Sequence, residues 1–220
     1  PEPKRKLAAP APSQEGFSSH RGSGRILITS DWNHVQNIGP KDKKTGARGV
    51  PTAHREVLID ALKKDIDEIG VASYVGIESE HDVSAELSKS PITSWINGLI
   101  LTEQRTGKAT YNYKWSKWTT VGKEIVLDRL GVSAHIDDNA EICKACEDYG
   151  IRAYRVRTHN ESHKGYRSFA NFTEAMAALR VDIRHNPKAF EREGATFQNM
   201  HFDDDYYWYV SGHDVDCTKA

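Results

Sequence analysis

Four polar residues close apolar runs in this chain. Asp31 ends RILITSD, Ser79 ends VASYVGIES, and Asp137 and Asp138 fall together in VSAHIDDN. A short apolar run that finishes on an acid or a hydroxyl is how a buried parallel strand delivers a polar side chain to the edge of a sheet. If the strands are parallel, their carboxyl ends share one edge, and Asp31, Ser79, Asp137 and Asp138 converge there. Carboxylates gathered in one cleft repel one another unless a cation lies among them. Mg2+ is hard, prefers oxygen ligands and offsets that repulsion, so the acids point to a magnesium site.

The spacing of apolar residues supplies the elements that must carry these groups. Residues 25–31 read as the first strand. Residues 33–52 follow as an irregular Gly/Pro/Lys segment, long enough for a flap but too polar for a core element. Val57, Leu58, Ala61, Leu62, Ile66 and Ile69 recur at helical spacing and predict a helix over residues 53–70, stopped by Gly70. Residues 71–79 read as a second strand, with helical pieces interrupted at Pro91 before a third strand at 98–102. Residues 103–118 read as a basic, aromatic loop. Val121, Ile125, Val126, Leu127 and Leu130 then form the apolar face of a helix that Gly131 ends. VSAHIDDN gives a fourth strand, AEICKACEDYG a helix, IRAYRV a fifth strand, and residues 172–182 a closing helix. Alternation of this kind predicts an α/β chain with a Rossmann-like parallel sheet flanked by helices on both faces. The expected division is a flexible arm over 1–24, the α/β domain over 25–182, and an acidic, aromatic extension over 183–220. That extension contains YYWYV beside Asp203, Asp204 and Asp205, a segment suited to docking on its own core or on a protein partner.

ILITSDWN, VGIES, KWTTVGKEIVLDRLG and HIDDN occur in the order and approximate spacing of the haloacid dehalogenase-like superfamily, and the chain resembles its members over about residues 25–180. The resemblance implies a nucleophilic Asp31, a phosphate-binding Ser79, a motif lysine at Lys117 (with Lys123 and Lys114 as alternatives), and metal-binding acids at Asp137 and Asp138. It also implies little or no cap domain and phosphate monoester hydrolysis through an aspartyl phosphate, with Mg2+ as cofactor. Asn33 departs from the pattern. It stands where phosphatases of the superfamily carry the acid/base aspartate, and a carboxamide transfers no proton near neutral pH. The expectation is a phosphatase, slightly favoured, with Asn33 in that place and its backbone carbonyl beside the metal. A catalytically silent binding or structural module is the alternative, and a dehalogenase-type hydrolase a further one. His34 is a candidate substitute acid/base or an ordinary loop histidine.

The 220 residues carry 30 Lys and Arg against 31 Asp and Glu, a formal charge of −1, which gives no general attraction to nucleic acid or to a membrane. Local sites stay open. Lys41, Lys43, Lys44, Arg48, Lys108, Lys114 and Lys117 lie on the two long loops and suit a phosphorylated substrate. With so little material for a cap, that substrate has room to be bulky. Tyr111, Tyr113, Trp115 and Trp118 would stack on bases if nucleic acid were the ligand, or equally well cover the end of the sheet. No GxGxxG or GxxxxGK[ST] loop occurs, so dinucleotide and P-loop chemistry lack their phosphate cradle. Three cysteines make a disulfide framework unexpected and suit an intracellular, reducing compartment, cytoplasmic by default with an organelle still open. Cys143 and Cys146 stand three apart, without a second ligand pair for zinc.

Overall fold

Alternate residues of β1 (Leu27–Ser30) enter two different cores, because successive side chains of a strand point to opposite faces. Ile26 and Ile28 pack with α1 (Ala53–Lys64), α2 (Val83–Lys89) and α5 (Phe172–His185). Leu27 packs on the other side with α3 (Lys123–Arg129) and α4 (Ala140–Asp148). The computed structural model describes residues 21–38, 43–44, 53–74, 83–102, 117–119, 122–157 and 167–197.

The remaining strands are β2 (Glu68–Tyr74), β3 (Gly98–Thr102), β4 (Lys117–Thr119), β5 (Ala134–Asp137), β6 (Arg152–Val156) and β7 (Ser168–Phe169). All seven are parallel in the order β4-β3-β2-β1-β5-β6-β7. This is the Rossmann-like sheet flanked by helices that the alternation predicts, and no separate cap domain stands among the described residues. Chain order reverses at β1, which lies between β2 and β5. The carboxyl end of β1 is therefore the switch point where open α/β sheets place their ligands.

Two boundaries differ from the sequence reading. The helix expected to reach Gly70 ends at Lys64, where the Asp65 and Ile66 amides both return to the Ala61 carbonyl. Residues 68–70 already belong to β2, paired as Leu27 with Glu68, Ile28 with Ile69 and Thr29 with Gly70. Ile66 and Ile69 face the same core as Leu58 and Ala61, so a helical spacing persists across a helix–strand junction. β4 and β7 also arise in stretches that read as loop, being too short to show a period.

Residues beyond α5 pack back onto the sheet. Arg25 and Arg192 exchange two backbone hydrogen bonds of 3.0 and 2.9 Å in an antiparallel bridge. The Phe197 amide donates to Glu68 Oε2 at 3.2 Å, and the Phe197 ring lies against Gly70 and Gly98, where a Cβ on Gly98 would come 2.6 Å from Cδ1 of the ring. The two glycines leave the depression that the ring fills. Gly98→Ala should therefore cost about 1–3 kcal/mol by overpacking, and Phe197→Ala about 3–5 kcal/mol by leaving a cavity. In urea melts the double variant should lose clearly less than the sum, because removing the ring relieves the clash. Strict additivity would show that the two positions do not share this contact.

Candidate metal and phosphate site

Strand alternation decides which side chains meet at the switch point. Leu27 faces α3 and α4, so Thr29 and Asp31 do too, and β5 places His135 beside Thr29 with Asp137 two residues further on. Lys123, the first residue of α3, is fully buried and brings its ammonium to the carboxyl ends of these strands. Its Nζ lies 2.6 Å from Asp137 Oδ2 and 3.4 Å from Asp31 Oδ2. Asp31 Oδ1 accepts from the Trp32 amide and from Ser73 Oγ, each at 2.6 Å. Asp137 Oδ2 is also 2.9 Å from His135 Nε2, whose Nδ1 is 2.8 Å from Thr29 Oγ1, while Oδ1 accepts from the Asn139 amide at 2.9 Å. Both carboxylates are held by donors on two sides, which fixes their orientation.

Asp31, Asp137 and Asp138 can each offer an oxygen with all three within 4.8 Å of one another. Three carboxylates thus face one lysine ammonium, and the sharing is unequal. Burial alone would raise Asp137, but Lys123 and His135 outweigh it and hold Asp137 well below the usual carboxylate range. Burial would likewise lower Lys123, and the Asp137 and Asp31 charges reverse that, keeping the ammonium protonated far above neutrality. Asp31 receives less. Burial, assisted by Asp137, pushes its pKa up against the pull of Lys123 and Ser73. Asp138 is pushed up to about 7 by burial and by the charges of Asp31 and Asp137. Negative charge therefore remains undercompensated on the Asp31 and Asp138 side, where a hard dication with oxygen ligands fits the donor set.

The expectation of a slightly favoured phosphatase with Asn33 in the place of the acid/base aspartate is corrected here. The cluster consists wholly of aspartates, Asp31, Asp137 and Asp138, and Asn33 is not in it. Asn33 sits in the turn after β1. The Gln36 and Asn37 amides return to the Trp32 carbonyl, Asn33 pairs with Asn37 in a bridge, and the Asn33 Oδ1 is buried without a hydrogen-bond partner among the described residues. Trp32, fully buried, and Asn37 both donate to Glu86 Oε2, at 2.7 and 2.8 Å, which ties the turn to α2. His34 adopts φ 63° and is exposed.

Of the other expected residues, Ser79 lies outside the described residues. Lys117 is on β4, paired with Ile100 at the sheet edge, three strand spacings or about 14 Å from β1. Among the described residues, Lys123 is the lysine brought to the acids. Ser73 and His135 went unnoticed in the sequence, and both were within reach of it. Ser73 stands two residues past Val71, the partner of Ser30, and reaches Asp31 with its hydroxyl, and His135 precedes Asp137 by two, hence on the same face. Cys143 and Cys146 are free and buried in the core between α4 and the sheet, with the Cys146 thiol pushed up to about 12 by burial. The arm at residues 1–20, the basic residues of 103–116 and the YYWYV segment lie outside the described residues. No helix among the described residues is long and apolar enough to cross a membrane.

A parallel Rossmann-like sheet with this aspartate cluster at its carboxyl edge is consistent with the haloacid dehalogenase-like fold, as the motifs imply. In comparisons with known proteins, no family model matches the chain and no curated protein matches it.

Removing the ammonium leaves buried carboxylates uncompensated, so Lys123→Met should destabilise the metal-free protein by about 3–5 kcal/mol, read from thermal or urea melts. Asp138 behaves oppositely. Its folded pKa lies above its unfolded one, so the native state favours the protonated form, and stability is lost as pH rises from the ordinary carboxylate range towards 7. Asp138→Asn should raise the melting temperature of the metal-free protein at pH 8 and weaken divalent-cation binding. In the unchanged protein cation affinity should climb as pH rises through about 7, followed by titration calorimetry.

Proposed function

We propose that the chain binds Mg2+ and a phosphoryl group at the carboxyl end of β1, and that Asp31 accepts the phosphoryl group to form an aspartyl phosphate. The observation that carries this is the Asp31 carboxylate itself. One oxygen is held by the Trp32 amide and Ser73, leaving Oδ2 turned towards the Lys123 ammonium within a cluster of further acids. A carboxylate so fixed is a positioned nucleophile. Asp31 Oδ2 donates a lone pair to phosphorus, and the bond to the leaving oxygen breaks with its electron pair. Lys123 stabilises the negative charge gathered beside it, and Ser73 keeps Asp31 aligned. Asp31, Asp137 and Asp138 would hold the cation, which when bound supplies positive charge to the phosphoryl oxygens.

With a carboxamide at Asn33, the proposal stops at transfer to Asp31 from donors whose leaving group needs no proton, such as an acyl phosphate. The absence of a separate cap among the described residues supports a bulky phosphorylated ligand. A second reading, a module that holds cation and phosphate without forming a bond, is favoured by the same asparagine.

Incubation with labelled acetyl phosphate and Mg2+ tests both. The expected result is a hydroxylamine-sensitive label on Asp31 that is absent from Asp31→Asn and absent without the cation. Mg2+-dependent binding of beryllofluoride without any label would select the binding module. Neither label nor binding would overturn both readings.

A further inference from the structure

Lys123 is held by more than its two carboxylates. Its own backbone amide opens α3, and such an amide has no partner within its helix. The usual remedy is a side-chain acceptor at the residue before, but that residue is Gly122, which offers none. The acceptor comes instead from β2: the Lys123 amide donates to the Tyr74 hydroxyl at 3.2 Å. The same tyrosine presents its ring to the other end of the same lysine, with Nζ 5.0 Å from the ring centroid. One side chain therefore touches Lys123 at both ends.

We propose that Tyr74 is a positioning residue for Lys123, fixing the start of α3 through its hydroxyl and the ammonium through its ring. This rests on the phosphoryl-binding role given to Lys123 above. The surrounding geometry supports it. Asp31 and Asp137 attract the ammonium from the strand side at 3.4 and 2.6 Å, and the closer contact alone would draw it towards Asp137. The ring adds a cation–π attraction that the two acids do not supply. Tyr74 also follows Ser73 on the strand, so one dipeptide of β2 orients both the nucleophile and the lysine: Ser73 holds Asp31 by its hydroxyl, and Tyr74 holds Lys123. The two side chains leave opposite faces of β2, as strand neighbours must: Tyr74, two residues after Ala72, is on the face that α3 covers, and the Ser73 hydroxyl reaches Asp31 just past the end of β1.

Tyr74→Phe and Tyr74→Leu separate the two contacts, since phenylalanine keeps the ring and leucine keeps neither. Two readouts in the full chain keep this proposal distinct from the phosphoryl-binding reading. The first is the NMR shift of the Lys123 ε-methylene and ammonium groups, together with hydrogen exchange at the Lys123 amide, without any ligand. The second is beryllofluoride affinity in the presence of Mg2+. Tyr74→Phe should speed amide exchange while retaining the ring-induced upfield shift. Tyr74→Leu should lose both and bind beryllofluoride about tenfold more weakly, the effect of a desolvated cation–π contact. Lys123 signals and affinity unchanged in Tyr74→Leu would overturn the proposal. If Tyr74→Leu fails to fold, Tyr74→Phe decides: unchanged exchange at the Lys123 amide overturns the proposal, and faster exchange supports it. Should the unchanged protein bind no beryllofluoride while the Lys123 signals still move as described, the positioning role stands and the phosphoryl-binding reading falls.

Discussion

A fully buried ammonium is costly, and at Lys123 that cost dictates much of what surrounds it. Several kcal/mol of hydration are given up when such a charge leaves water, and only close opposite charges restore them. Asp137 lies 2.6 Å away and Asp31 3.4 Å, on strands that are neighbours in the sheet though far apart in sequence. Holding both acids at these distances requires β1 and β5 to be paired, their odd-numbered residues to share a face, and α3 to begin where its first side chain reaches their carboxyl ends. A slip of one residue in either strand would turn its aspartate to the opposite core. The ion cluster thus specifies register as firmly as the apolar packing does. The third acid breaks the balance, and the imbalance is what makes the edge receptive to a cation.

The alternating architecture was legible because apolar period and turn residues agree along most of the chain. β3 at Gly98–Thr102 and α4 after HIDDN were readable from local pattern alone. α4 even carries its own start signal, since Asn139 accepts from the amides of Glu141 and Ile142. What sequence could not resolve was a junction between elements of different period. Ile66 and Ile69 continue the helical spacing of α1 by coincidence of packing, because helix and strand bury their apolar residues in one core. That boundary assigned residues 68–70 to the helix and not to β2.

The site was legible in its acids and illegible in its partners for a related reason. Aspartates at strand ends announce themselves, since a carboxylate placed directly after a buried strand loses hydration that only a counter-charge or a ligand restores. A lysine within a polar helix start does not. Lys123 looks like an ordinary surface residue in one dimension, and only the sheet order, with β4 three strands removed from β1, shows why Lys117 and Lys123 are not equivalent. Asn33 was read by motif position alone. The turn that buries Trp32 and ties it to Glu86 depends on contacts 54 residues apart, which no local pattern reveals.

The antiparallel bridge between Arg25 and Arg192, with Phe197 seated on the glycines of β2 and β3, bears on how the chain reaches its native state. Those contacts join residues close to the two ends of the described sequence. During synthesis the strands β1, β2, β3 and β5 emerge long before Phe197 does, so the apolar depression over Gly70 and Gly98 stays uncovered until the last part of the domain is made. Contacts of such long sequence separation come at a large loop-closure cost and are slow to form. Completion of the α3 and α4 core, of which Phe197 is a buried member, consequently awaits the carboxyl-terminal segment.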